Sequence, residues 1–143
     1  MLRENATSED RPPLGASEFE AFAVEVHRDE RGAVVEPRGE LDLATIDMLD
    51  AAFEVAVTET LRAAPDGTER HARLVLDLRG LTFIDSTGLR MLLALDRRAQ
   101  HDGFQLTMYA PGAPAYRAIQ VCGLDTLLPF AAPVEASGSS GNA

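Results

Sequence analysis

The sequence predicts an α/β fold, in which a mixed β-sheet of four to five strands packs against three to four helices in a single domain. Short apolar runs alternate with segments whose apolar residues recur at helical spacing, after an initial pair of runs joined by a tight turn. The chain of 143 residues is 45% hydrophobic, which suits one domain with a proper core. Residues 1–17 resemble a polar leader and residues 133–143 a flexible Ser/Gly-rich tail, so the folded domain is expected over residues 18–132.

The first two strands are predicted to form a hairpin. The first strand is expected over residues 19–27, and Arg31 with Gly32 forms the turn. The second strand is expected over residues 33–39, where Pro37 indicates an edge position or a bulge because proline cannot donate to a ladder.

The remaining elements alternate between helix and strand. In order, we expect a helix over residues 46–62 capped by Thr45, a central strand over 74–78, a helix over 86–101, a strand over 104–109, a short helix over 111–122 and a last short strand over 124–130. This alternation predicts parallel strand pairs, with helices packed against the sheet.

The charge and the cysteine content exclude several classes of protein. The net charge of −10 argues against nucleic acid or an anionic membrane as the main partner, because both need clustered cations. No apolar run is long enough to span a bilayer, and the amino terminus does not resemble a signal peptide. The single cysteine, Cys122, allows no internal disulfide, which suits the cytoplasm, and its apolar neighbours predict a small core residue.

No enzyme or metal site is predicted, and no cofactor is expected. His27, His71 and His101 are far apart in the sequence, and none has metal-ligand spacing with a second ligand. The aspartates Asp42, Asp77 and Asp85 lie at or near predicted strand ends, so two of them could meet. Two carboxylates without a third group are a weak indication of acid–base chemistry.

The turn from Asp85 to Gly88 is the most informative feature of the chain. It joins an apolar run to a helical pattern and places the hydroxyls of Ser86 and Thr87 at the start of the helix. In one interpretation, Asp85 or Ser86 is simply the helix cap. In the other, the Ser86 hydroxyl is exposed and carries a phosphate. Gly88 favours the second alternative, since a missing side chain would let another surface approach the hydroxyls.

Three segments of the chain resemble STAS domains. They are Gly-Glu-Leu-Asp-Leu-Ala-Thr at 39–45, the run 74–89 that ends in Asp-Ser-Thr-Gly-Leu, and Gly-Leu-Asp-Thr-Leu-Leu-Pro at 123–129. The similarity covers residues 19–130 in matching order, and the best match is the subgroup of anti-sigma factor antagonists. The resemblance therefore implies a STAS-like mixed sheet.

The resemblance also implies a phosphorylation switch in bacterial transcription, including stress responses. Members of the subgroup bind an anti-sigma factor, usually a histidine-kinase-like ATPase that phosphorylates serine, and so release a sigma factor. The kinase then phosphorylates the motif serine, here Ser86, and a metal-dependent serine phosphatase reverses this. The surface implied for partner binding consists of Asp42, Asp85, Ser86, Thr87, Gly88 and Leu89.

Two alternatives remain open at this stage. One is a STAS scaffold subunit of a stress-signalling or lipid-transport complex, which would bind its partner without a phosphate on Ser86. The other is a small-ligand-binding domain or enzyme that uses Asp42, Asp77 and Ser86 and has a deep pocket. The stretch between the first two motifs is several residues longer than is usual in the family. The additional residues are expected at the end of the first helix and in the loop 65–71, since surface loops tolerate insertions.

Overall fold

A computed structural model describes residues 22–63 and 72–131. Its strands are β1 (Ala23–Asp29), β2 (Gly32–Leu41), β3 (Arg73–Asp77), β4 (Leu81–Ile84) and β5 (Gln105–Tyr109). Its helices are α1 (Ile46–Ala63), α2 (Ser86–Asp102) and α3 (Ala113–Val121), followed by a 3-10 turn at Leu124–Thr126. The predicted leader, the tail and the loop 65–71 lie outside the described residues.

The strands form one mixed sheet, as the sequence predicted. The strand order is β1-β2-β3-β5, and β4 also pairs with β2. The β1–β2 hairpin is antiparallel, with Val26 opposite Val35, whereas the other named pairs are parallel. The carboxyl ends of the parallel strands therefore point to the same edge of the sheet, which is where the loops that can carry a functional site begin.

The helices bury their apolar stripes against one face of the sheet. Helix α1 contributes the buried Leu49 and Phe53, and the Phe53 ring lies 6.3 Å from that of Phe104 at the start of β5. Helix α2 buries Leu92 and Leu95 in the same cluster. Each large apolar side chain removed from water in this way stabilises the fold by about 1.5–3 kcal/mol.

An ion-pair network joins the two long helices at the protein surface. The Arg98 guanidinium of α2 donates to both carboxylate oxygens of Glu54 in α1, at 2.6 and 3.0 Å, and its Nε donates to Asp102 at 2.7 Å. The bidentate geometry sets the relative position of the helices more closely than a single contact would. The hydrogen bonds from Arg98 lower the pKa of the Glu54 and Asp102 carboxyls from their ordinary values.

Two strand predictions were wrong. No separate strand is predicted at residues 81–84, but these residues form β4, which pairs with Gly39–Leu41 of β2. A turn at Arg79 and Gly80 breaks the apolar run there. Residues 124–130 do not form a strand either: they begin with the 3-10 turn, and Phe130 makes an isolated bridge to Met108.

Pro37 does not lie on an edge strand. It is fully buried in β2, opposite Val24 of β1. On the other side of β2, residues 33–35 pair with β3 and residues 39–41 pair with β4, so Pro37 falls between the two parallel ladders. Its missing N–H is tolerated at this gap. The predicted bulge is present, but between Gly39 and Glu40.

Cys122 is not a core residue. It is exposed, directly after the last residue of α3. The buried positions of α3 are Ala115 and Ile119, which are four residues apart, whereas Val121 is 77% exposed. The helical repeat therefore turns this end of α3 away from the core, although the local sequence is apolar.

Candidate functional site

The carboxyl ends of β2 and β4 lie side by side at one edge of the sheet. Leu41 pairs with Ile84 in the parallel register, and the Asp85 N–H donates to the Leu41 carbonyl oxygen at 3.1 Å. Asp42 and Asp85 directly follow these two paired residues. The two aspartates are therefore neighbours at this edge, although more than forty positions separate them in the sequence.

Helix α2 begins at Ser86, and Asp85 is its N-cap. The backbone of Asp85 is extended (φ −102°, ψ −175°), and its carboxylate accepts the Gly88 N–H at 2.9 Å. Ser86 is exposed on the first turn, and Thr87 is half-buried. Asp85 is therefore the cap, and the Ser86 hydroxyl lies on the surface at the positive end of the helix. That Ser86 carries a phosphate stays a prediction.

Gly88 and Leu89 lie beneath this surface. A Cβ at Gly88 would stand 2.7 Å from the Leu41 carbonyl oxygen and 2.7 Å from Ile84 Cγ1. The missing side chain therefore lets α2 approach β2 of the same domain, which corrects the interpretation that it makes room for another surface. Leu89 is 7% exposed and belongs to the core. The partner-binding role predicted for both residues stays a prediction.

A short turn after β2 holds Asp42. The Asp42 carboxylate accepts the Ala44 N–H at 3.0 Å, and the Asp42 N–H donates to the Thr45 hydroxyl at 3.0 Å. That hydroxyl lies 2.8 Å from the Glu40 carbonyl oxygen, to which it donates. Thr45 directly precedes α1, but its hydroxyl accepts no N–H from the described helical residues 46–63, so the predicted side-chain cap was wrong. The hydroxyl instead ties the turn to the end of β2.

A family model described as Mlab, STAS domain matches residues 24–129. The chain is a member of the STAS-domain family. This confirms the family and the fold expected from the three sequence motifs.

Solved structures of anti-sigma factor antagonists share the fold of this chain over most of their length. An anti-sigma factor antagonist from Mycobacterium paratuberculosis is 26% identical, with 80% of this chain and 89% of that chain covered and a TM-score of 0.59. The anti-sigma factor antagonist SpoIIAA in its unphosphorylated form is 21% identical, with 81% and 92% covered and a TM-score of 0.55. An anti-sigma-factor antagonist domain protein from Planctomyces limnophilus is 17% identical, with 79% and 93% covered and a TM-score of 0.57. No curated protein matches this chain.

Asp77 lies on the other face of the STAS sheet, away from Asp42 and Asp85. It is 5% exposed and pairs with Tyr109 in the register of β3 and β5. Its carboxylate accepts the Arg79 Nε at 2.9 Å, the Arg79 Nη2 at 2.7 Å and the Arg79 N–H at 3.1 Å. Burial raises the pKa of Asp77, but the hydrogen bonds and the charge of Arg79 outweigh it, and the pKa is lowered from its ordinary value.

The lowered pKa predicts that the Asp77–Arg79 pair stabilises the fold least in acid. A carboxyl with a depressed folded-state pKa contributes stability above the unfolded value of about 3.9 and loses it as the pH falls through the folded value. We expect Asp77→Asn to be less stable than the wild type at pH 7, and this difference to shrink between about pH 5 and pH 2. Urea unfolding across this pH range measures it, with Glu59→Gln at an exposed position of α1 as control. A difference that is the same at every pH would contradict the pairing.

Two exposed apolar side chains border the site and were not predicted from the sequence. Leu43, directly after Asp42, is 72% exposed, and Phe83, opposite Glu40 in the register of β2 and β4, is 47% exposed. Leu43 could have been found as an apolar residue in the short connection between the predicted strand 33–39 and the predicted helix 46–62. Phe83 could not, because its exposure depends on β4, which was missed. Both add apolar contact area beside Asp42 and Ser86.

The described residues contain no cluster of three or more His, Cys, Asp or Glu side chains that could hold a metal ion. Within the same part of the chain, no helix combines the length and the apolar character needed to cross a membrane.

Proposed function

We propose that this STAS protein is an anti-sigma factor antagonist that phosphorylation of Ser86 switches off. One observation carries the proposal: the Ser86 hydroxyl is exposed on the first turn of α2, at the edge where Asp42 and Asp85 are neighbours. The similarity to a 26% identical anti-sigma factor antagonist supports it. SpoIIAA, which shares the fold, is known in an unphosphorylated and a phosphorylated form.

In the proposed cycle, the unmodified protein binds an anti-sigma factor that is a histidine-kinase-like ATPase, and a sigma factor is released. The kinase transfers a phosphoryl group to the Ser86 hydroxyl, and the complex dissociates. A metal-dependent serine phosphatase then restores the hydroxyl. The protein would act in the bacterial cytoplasm, in transcription regulation such as a stress response, without contacting nucleic acid or membrane itself.

The proposed switch is electrostatic. A phosphoserine carries a charge of about −1.5 to −2 and three strong acceptor oxygens. At Ser86 this charge would meet the Asp42 and Asp85 carboxylates, which already make the edge acidic. The helix N-terminus offsets part of the repulsion inside the domain. The remaining cost falls on the contact with the partner, where the new charge would have to be desolvated.

The enzyme alternative loses support because its three residues are not brought together. The Asp77 carboxylate is bound by Arg79 on the opposite face of the sheet from the helices, whereas Ser86 begins a helix. A groove lined by Glu36, Asp77 and Arg79, among others, has a volume of about 290 Å³ and is shallow, whereas the enzyme alternative predicts a deep pocket. The scaffold alternative uses the same fold and surface, so an experiment has to separate it from the switch.

Phosphate mapping tests the proposal. We expect incubation with a cognate anti-sigma factor kinase and ATP to place one phosphate on Ser86, as read by mass spectrometry. The Ser86→Ala variant should incorporate none, and Thr87→Val should incorporate as much as the wild type, because Thr87 is half-buried and stiffer at χ1. Phosphate on Thr87 alone, or undiminished labelling of Ser86→Ala, would contradict the assignment. Tight binding without any phosphorylation would favour the scaffold alternative.

A further inference from the structure

The face of the sheet that points away from the helices carries a polar groove. The core cluster occupies the other face, with Leu74 and Leu76 of β3 and Leu106 and Met108 of β5. Successive side chains of a strand point to opposite faces. The residues between the core positions therefore lie together on the second face, in the register Arg73–Gln105, Val75–Thr107 and Asp77–Tyr109.

Arg31 reaches this face from the turn between β1 and β2. Its Nη2 donates to the Asp29 carboxylate at 2.6 Å and its Nε at 3.1 Å, which fixes the guanidinium. The Arg31 Cζ lies 5.4 Å from the centre of the Tyr109 ring, and the Arg79 Cζ lies 5.1 Å from the same centre. Both distances allow cation–π contacts, so the ring and the two guanidinium groups form one ordered unit.

The groove has a volume of about 200 Å³, and its lining includes Arg31, Arg73, Val75, Gln105, Thr107 and Tyr109. Of these lining residues, the charged ones are both arginines, and Gln105, Thr107 and Tyr109 each bring a hydrogen-bond donor. Asp29 already engages Arg31, and Asp77 engages Arg79. Arg73 is exposed and has no carboxylate partner among residues 22–63 and 72–131.

We propose that this groove binds an oxyanion, the phosphate or carboxylate group of a small molecule. The Arg73 guanidinium can present two parallel N–H groups that match either group. The Nε and Nη2 of Arg31 are held by Asp29, so Arg31 offers its Nη1, and this ordered side chain loses little freedom on binding. The groove is smaller than the sites of about 300–1,000 Å³ that hold drug-sized ligands, so it fits a compact anion. The lining carries two arginines, although the chain as a whole has a net charge of −10. The site is distinct from Ser86, which begins a helix on the opposite face.

Amide NMR titration tests this site with inorganic phosphate and with acetate, at constant ionic strength maintained with sodium chloride. We expect saturable shifts confined to the groove, at Arg73, Gln105 and Thr107, for at least one of the two anions. Arg73→Gln should weaken this binding about tenfold, since a charge-assisted hydrogen bond is lost. The control Arg97→Gln removes the same charge from an exposed position of α2 and should leave the affinity unchanged.

Several outcomes would overturn the proposal. Shifts that grow linearly without saturating, or an equal loss in Arg73→Gln and Arg97→Gln, would indicate only general attraction of anions. If Arg73→Gln fails to fold, Thr107→Val, which removes only a hydroxyl from the lining, should weaken binding instead, and unchanged binding would count against the site. Saturation of the groove by a tetraglutamate peptide, but by neither small anion, would identify a surface for an acidic protein instead. None of these results bears on whether Ser86 is phosphorylated.

Discussion

Phosphorylated protein is expected to bind its anti-sigma factor partner several-hundred-fold more weakly than the unmodified protein. Placing a charge of about −1.5 to −2 beside Asp42 and Asp85 should cost about 3–4 kcal/mol in the complex, and each 1.4 kcal/mol is a factor of ten. Ser86→Ala should keep the affinity of the unmodified protein and remain active in the presence of ATP. Ser86→Asp should bind with intermediate affinity, because one carboxylate carries about half the charge of a phosphate.

Calorimetric titration of the partner into these four forms measures the effect. The control is Thr58→Asp, which adds the same charge at an exposed position of α1 away from the α2 N-terminus, and it should change the affinity little. Equal affinities for the phosphorylated and unmodified proteins would reject the switch and make the scaffold function the better one. An equal loss in Thr58→Asp and Ser86→Asp would show that overall charge, rather than the place of the charge, controls binding.

Gly88→Ala is expected to lower the free energy of unfolding by about 1–3 kcal/mol, although alanine is the better helix former. The new Cβ would approach the Leu41 carbonyl oxygen to 2.7 Å, and this backbone atom belongs to the last residue of β2 and cannot swing aside as a flexible side chain could. Relief of the contact would move the first turn of α2, and with it Ser86. Thermal unfolding gives the stability, and the affinity for the partner reports the position of the turn.

Gly112→Ala is the matched control. A Cβ at Gly112 would meet no atom within 4 Å, so this variant should stay within about 0.5 kcal/mol of the wild type. A Gly88→Ala variant as stable as Gly112→Ala would contradict the packing role of Gly88. Reduced partner affinity of Gly88→Ala at unchanged stability would instead favour the original interpretation, in which the glycine leaves room for the partner.

The strong periodic segments made most of the fold predictable. Helix α2 was expected over residues 86–101 and is found at Ser86–Asp102, because an aspartate cap and a glycine with φ of 82° mark its two ends. The predictions of an antiparallel hairpin and of parallel strand pairs joined by helices are likewise confirmed. Strand β4 was missed because its four residues follow β3 after a short turn, and a short apolar run does not reveal where one strand ends and the next begins.

Only those parts of the site whose residues are neighbours in the sequence could be predicted. The cap and the exposed serine follow from residues 85–88, whereas the approach of Asp42 depends on the pairing of β2 with β4. The role of Gly88 was misjudged for the same reason, since the atom that excludes a side chain there belongs to Leu41. The arginine-lined groove could not be foreseen at all, because it assembles residues from β3, β5 and the first turn.

The anchoring of α2 to β2 has a consequence for the timing of any regulation at Ser86. The Asp85 N–H is bonded to the Leu41 carbonyl oxygen, and Gly88 packs against the same residue, so contacts inside the domain hold the first turn in place before any partner binds. A surface that needs no rearrangement can meet a partner at rates limited by encounter and orientation. Recovery after each round of modification would then be set by how fast the phosphate is removed, without a slow conformational delay inside this domain.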